Sequence, residues 1–288
     1  MIFGNLFGPR YGGQMNRWIR FQQSMNRKRW FELDSERNSP IALFDFFDLN
    51  DAVDAALIDE GSKKDGWRIS DDSVIGGYSR ATFELVRTRE DYKRIMRGEP
   101  PLPFLDQIQN KETSTSDEEP TDFVPFVRWK GTIDTTIDER SDVQRSGFCA
   151  IRSPDFPYAG ADLGGRYNAL EITCRSDGRP YSVNLKVDSF IPDDIYQCFL
   201  KIPPTIELGS EICPETGGRF DQVVLLFQHF VVTAGGRLRS RQRELDGTIR
   251  LQSIGLTLMD GADGDFQFDL ARIRAVNYDE RGVIERTD

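Results

Sequence analysis

The sequence predicts an all-β domain, a sandwich or jelly roll built from antiparallel sheets. From Trp67 onward, roughly nine short apolar runs repeat with a period of two. Turn signals separate them, such as Ser176-Asp177-Gly178, Pro203-Pro204, Gly217-Gly218 and Asp263-Gly264. Strands and helices never alternate in a βαβ rhythm, which argues against a parallel nucleotide-binding sheet. The 25 Gly and 14 Pro suit such punctuation better than a helical bundle.

The elements follow in order. Residues 1–31 hold six basic side chains and no acid. Over 14–31 a helical wheel places Met15, Trp18, Ile19 and Met25 on one face, opposite Arg17, Arg20, Arg27 and Lys28. An amphipathic, arginine-rich, acid-free segment is the pattern of a mitochondrial transit peptide. A basic arm, or a helix resting on anionic lipid, is the competing reading. An apolar-acidic run follows at 41–49, then a short helical pattern through Ala52, Val53, Ala56 and Leu57.

Strands are expected at 82–87, 126–137, 148–152, 170–174, 181–187, 196–202, 222–227, 254–258 and 265–273. The alternation is clearest at 181–187, where Tyr181, Val183, Leu185 and Val187 share one face. A charged helix is expected at 88–97. The Pro-, Ser- and acid-rich stretch 98–122 reads as a mobile insertion, because it carries too little apolar surface to offset its ordering entropy. The expected domains are a targeting or flexible segment at 1–40, a β-sandwich at 41–280 and a tail at 281–288.

Catalytic material is scarce. The one histidine, His229, sits among aromatics and reads as a strand-edge residue. No nucleophile elbow, phosphate loop or calcium loop motif occurs, and no cofactor is expected. Asp260, Asp263 and Asp265 offer three carboxylates at short spacing but lack a closing glutamate, so a turn is favoured over a metal site. Cys149, Cys174, Cys198 and Cys213 form no CxxC pair and read as reduced, mostly buried thiols. No metal is expected there either.

The net charge of −10 conceals an asymmetry: without residues 1–31 the balance is 31 basic against 47 acidic residues, or −16. So acidic a body disfavours nucleic-acid binding. One basic feature interrupts it, the alternating Arg237, Arg239, Arg241 and Arg243 after Gly235-Gly236. An extended chain would align all four on one side as a partner-binding edge. A solvated hairpin flank is the equal alternative.

The string Trp67-x-x-Ser70-Asp71-x-x-x-x-Gly76-Gly77-x-Ser79 resembles the opening of the complex I intermediate-associated protein 30 family. Further strings resemble that family in its order: 126–131 with Trp129, the strand led by Gly147, 226–237, and 254–270. The resemblance runs from about 44 to about 278. It implies a galactose-binding-like jelly roll, with these motif residues serving structure. It also implies a non-catalytic chaperone in the mitochondrial matrix, peripheral to the inner membrane. The implied partners are complex I subunits and other assembly factors in a membrane-associated early intermediate, with no small-molecule substrate. Two alternatives stand beside it. One is a carbohydrate-binding module using Tyr158, Tyr167 and Tyr196 as an aromatic platform. The other is an RNA-binding factor using the arginine edge.

The basic segment yields a direct expectation: residues 1–40 fused to a fluorescent protein should direct it into mitochondria. Diffuse cytosolic fluorescence would leave the segment as a basic arm.

Overall fold

Strands with one apolar face each bury it against a second layer, and the described residues build two large sheets and a separate two-stranded one. The computed structural model describes residues 39–48, 66–99, 123–137, 146–156, 160–163, 165–189, 191, 193–206, 219–245, 250–279 and 282–283. The basic segment 1–31, the pattern at 52–57, the stretch 100–122, Tyr158 and Cys213 lie outside these residues.

In chain order the strands are β1 (Ile41–Asp45), β2 (Arg68–Asp71), β3 (Arg80–Val86), β4 (Phe126–Ile133), β5 (Cys149–Arg152), β6 (Ala169–Ser176), β7 (Tyr181–Val187) and β8 (Asp194–Leu200). They continue with β9 (Asp221–Leu226), β10 (Val231–Ala234), β11 (Arg237–Leu238), β12 (Leu251–Leu258), β13 (Gly264–Val276), β14 (Tyr278–Asp279) and β15 (Gly282–Val283). One helix, α1 (Arg89–Met96), follows β3.

The first sheet runs β3-β4-β13-β6-β9, with β1 added beside β13. The second runs β11-β10-β8-β7-β12-β5-β2, and every pairing is antiparallel. The chain crosses repeatedly between the two sheets, while β3-β4, β7-β8 and β10-β11 pair within one sheet. Each expected strand is found, and β7 alternates buried and half-buried residues along its whole length. Trp67 and Trp129 are both in the core. Trp67 meets Phe44 and Phe83 at centroid distances of 5.3 and 5.4 Å, and Trp129 meets Phe266 at 5.0 Å.

The first sheet is buried on both faces. Its outer face carries a second apolar cluster of Val86, Tyr92, Ile95, Phe123, Phe126 and Ala271. Helix α1 supplies Tyr92 and Ile95, three residues apart and so on one side. Thr88 and Asp91 start it with a reciprocal capping box. The charged helix of the sequence reading is therefore amphipathic, with its apolar side on the sheet.

Beneath that cluster lies an ionic triad. Asp269 stands directly opposite Arg128 on β4 and Arg175 on β6. Arg128 donates to its two oxygens from Nε and Nη2, at 2.9 and 3.0 Å, and Arg175 Nε donates at 2.7 Å. All three side chains are buried. The Arg175 guanidinium lies 4.6 Å from the ring centroids of both Phe126 and Phe220. Burial pushes the Asp269 carboxyl up, but the two guanidinium groups outweigh it and hold it below the ordinary carboxylate range.

A carboxyl depressed in the folded state contributes stability above its unfolded pKa and loses it as pH falls through the folded value. Asp269→Asn should therefore cost about 3–5 kcal/mol at neutral pH and flatten the acid limb of the stability curve. Urea denaturation across pH checks this. Parallel curves for the two proteins would remove Asp269 from the acid response.

Candidate docking site

The arginine run begins where β10 turns into β11 through Gly235 and Gly236, both at positive φ. Arg237 and Leu238 pair with β10, and Arg239 N–H adds a last bond to Val232 O at 3.0 Å. Beyond them Gln242 replaces a strand: its amide accepts from Val232 N–H at 2.7 Å and donates to Val232 O at 3.1 Å. The chain bends at Ser240 and Arg241, so the four arginines do not share one extended side. This corrects the edge expected from the alternation.

The bend divides the arginines by role. Arg239 Nε donates to Asp194 Oδ1 at 3.0 Å, and Arg243 pairs with the other oxygen of the same carboxylate. Asp194, at the start of β8, is buried. A buried carboxylate needs such partners. Arg237 and Arg241 are exposed, and neither has an ion-pair partner among the described residues. Of the run, these two keep their charge unpaired at the surface, beside exposed Leu238.

The motif around Trp67 is a built turn. After β2, Asp71 caps a 3-10 turn over Asp72–Ile75 by accepting from Ser73 N–H at 3.1 Å. Ser70 is exposed on β2. The residue that organises the loop is Asp72, next to the Asp71 of the motif string. Its fully buried carboxylate accepts from Ser79 N and Oγ at 2.8 and 2.9 Å and from Gly147 N at 2.5 Å. Gly76 closes the turn at φ +92°. Gly77 lies against Asp72, where a Cβ would stand 2.3 Å from Asp72 Cγ. The readable signal was the Asp71-Asp72 pair at a strand end: one side chain must point inward, and there it needs donors.

Other candidates resolve into structure. Tyr167 and Tyr196 are in the core, so they form no sugar platform. His229 is exposed at the end of a 3-10 turn (Phe227–His229), not on a strand. Asp260 is held by Arg179, Asp263 by Thr135 and Asp265 by Thr132. Cys149, Cys174 and Cys198 are free thiols. Burial, with Asp71 and Asp72 adding to it, pushes the Cys149 thiol up to about 12.

The division of the arginines is testable. Arg239→Ala with Arg243→Ala uncovers the Asp194 charge and should cost about 1–3 kcal/mol, while Arg237→Ala with Arg241→Ala should cost under about 0.5 kcal/mol. Chemical denaturation of the two double variants measures the difference. Equal losses would return all four arginines to the surface.

Comparison with known proteins bears on the whole domain. In structure, the chain is similar to the family 11 carbohydrate-binding module of a Clostridium thermocellum cellulosomal cellulase, with TM-score 0.44 and 10% identity over 84% of this chain and 98% of that one. The same module in complex with a mixed-linked tetrasaccharide gives 0.41 and 12%, over 83% and 96%. In sequence, it is 28% identical over 233 residues to mitochondrial complex I intermediate-associated protein 30 of Neurospora crassa, covering 76% of this chain and 71% of the relative. The mouse protein of that name is 28% identical over 148 residues, covering 49% of this chain and 41% of its own length. The profile of the family described as Complex I intermediate-associated protein 30 matches residues 57–270, from before the Trp67 motif into β13. The chain belongs to the complex I intermediate-associated protein 30 family.

Proposed function

We propose that this chain is a non-catalytic mitochondrial assembly factor that binds an early intermediate of NADH:ubiquinone oxidoreductase (complex I). The family match over 57–270 carries this reading, since it spans both the motif loop and the sandwich. The chemistry of the interior supports it. Asp72, Asp194 and Asp269 are each engaged by donors that fix strands or loops, the pattern of structural carboxylates. A thiol pushed as high as that of Cys149 is a poor nucleophile at neutral pH. The protein would work on the matrix side, peripheral to the inner membrane, among complex I subunits and other assembly factors.

On this reading Arg237 and Arg241 contribute to docking on an acidic partner. They stand out from a body of negative balance, and exposed charge acts mainly on the rate and specificity of encounter. Complementation of a null line, scored by native gel, tests the reading. The wild-type chain should migrate with a subcomplex smaller than mature complex I and restore the mature form. Arg237→Ser with Arg241→Ser should fold normally yet associate roughly five- to tenfold more weakly. A chain that enters mitochondria but neither joins a subcomplex nor restores complex I would overturn the assembly role. Full rescue by the double variant would remove only the arginines.

A further inference from the structure

The motif loop that Asp72 fixes from inside shows an apolar tip to solvent. Val74 is 82% exposed, Tyr78 50% and Ile75 43%. Single exposed hydrophobes are ordinary, but a cluster on one loop marks a contact surface. Two further loops lie at this end of the sandwich. Ser79 Oγ accepts from Asp134 N–H at 3.0 Å, and Asp263 Oδ1 accepts from Thr135 N–H at 2.7 Å, so the three loops are tied together. They add exposed Ile137 and Met259.

The same loops carry an acidic rim of Asp71, Asp134, Asp263 and Asp265. Two cations lie nearby: Arg80, whose Nη1 donates to Ser79 O at 2.6 Å, and Arg179, whose guanidinium is paired with Asp260. With Asp260 counted, five carboxylates face these two charges, so the rim keeps a negative balance. The loop is also preorganised. The Asp71 cap, the three hydrogen bonds to Asp72 and the close approach of Gly77 hold it, so little ordering entropy is lost on contact. Tyr78 is of the residue type that most often anchors such contacts.

We infer that this end of the sandwich, centred on Val74, Ile75 and Tyr78, docks an amphipathic protein segment with an apolar face flanked by lysine or arginine. The surface is separate from the arginine edge and stands whether or not that edge binds an acidic partner. An anionic lipid surface is disfavoured, because the acidic rim would meet like charge.

The test uses the full-length protein and a designed leucine–lysine amphipathic helix as probe, with a leucine–glutamate helix as its mirror. Titration calorimetry should detect the lysine peptide and not the glutamate peptide. Val74→Ser with Ile75→Ser and Tyr78→Ser should weaken binding by roughly tenfold or more. A second variant, Asp134→Asn with Asp263→Asn, keeps the acceptor oxygens used by Thr136 and Thr135. It should weaken binding by about threefold and flatten its salt dependence, and it carries the test if the triple variant does not fold. The net charge of −10 attracts a basic peptide to any part of the surface, so undiminished binding by the triple variant would overturn the inference. Equal binding of the glutamate peptide would do the same. So would self-association of the wild type that the triple variant abolishes, or capture by cardiolipin-containing vesicles.

Discussion

The buried Asp269 carboxylate is the constraint around which the first sheet is organised. It lies in β13, the longest strand, and its partners Arg128 and Arg175 stand opposite it on the strands to either side. A slip of one residue in either pairing would send Asp269, or one of its arginines, to the apolar face between the sheets. Packing alone would tolerate small errors of register, whereas an uncompensated buried charge does not. The aromatic roof of Tyr92, Phe126 and Phe220 then keeps water from the triad. Helix α1 is needed to supply part of that roof.

The same device recurs where loops must be held. Asp72 ties the motif turn to Gly147 and Ser79, and Asp194 ties the start of β8 to the segment after β11. In each case a carboxylate, once inside, accepts from groups distant in sequence. Its cost of burial becomes a penalty on every arrangement that lacks those donors. These acids define which loops sit where, and the apolar core supplies most of the driving force. The family motif at Trp67 combines the two functions, with the indole in the core and Asp72 immediately beyond the end of β2.

The strands were legible because a half-buried sheet imposes period two, and β7 keeps it without exception. β1, β2, β14 and β15 lie outside the expected strands, and so does the pair β10 and β11. It follows an aromatic 3-10 turn and spans only four and two residues, too few for a period to register. The arginine alternation misled for a related reason. Spacing shows where side chains would point if the chain stayed extended, and it does not show that Gln242 intercepts the edge of β10. Tyr196 is buried because β8 turns that face inward, and Tyr167 lies in the connection before β6, where no period can register. Asp194 and Asp269 were invisible as centres because their partners lie 45 to 141 positions away. No local window contains both halves of such a pair.

The placement of β1 has a consequence for the order in which the molecule can be completed. Its residues Ile41 to Asp45 pair with Ala275 back to Arg272, so one of the first strands of the domain closes on the last stretch of a strand made near the end. Ile41, Leu43 and Phe44 are buried there, and Phe46, just beyond the strand, is buried with them. A chain delivered from its N-terminus, whether from a ribosome or through a pore, must hold this greasy segment unpaired until almost all the rest has arrived. During that interval it is an unprotected strand edge and a natural target for holdase chaperones.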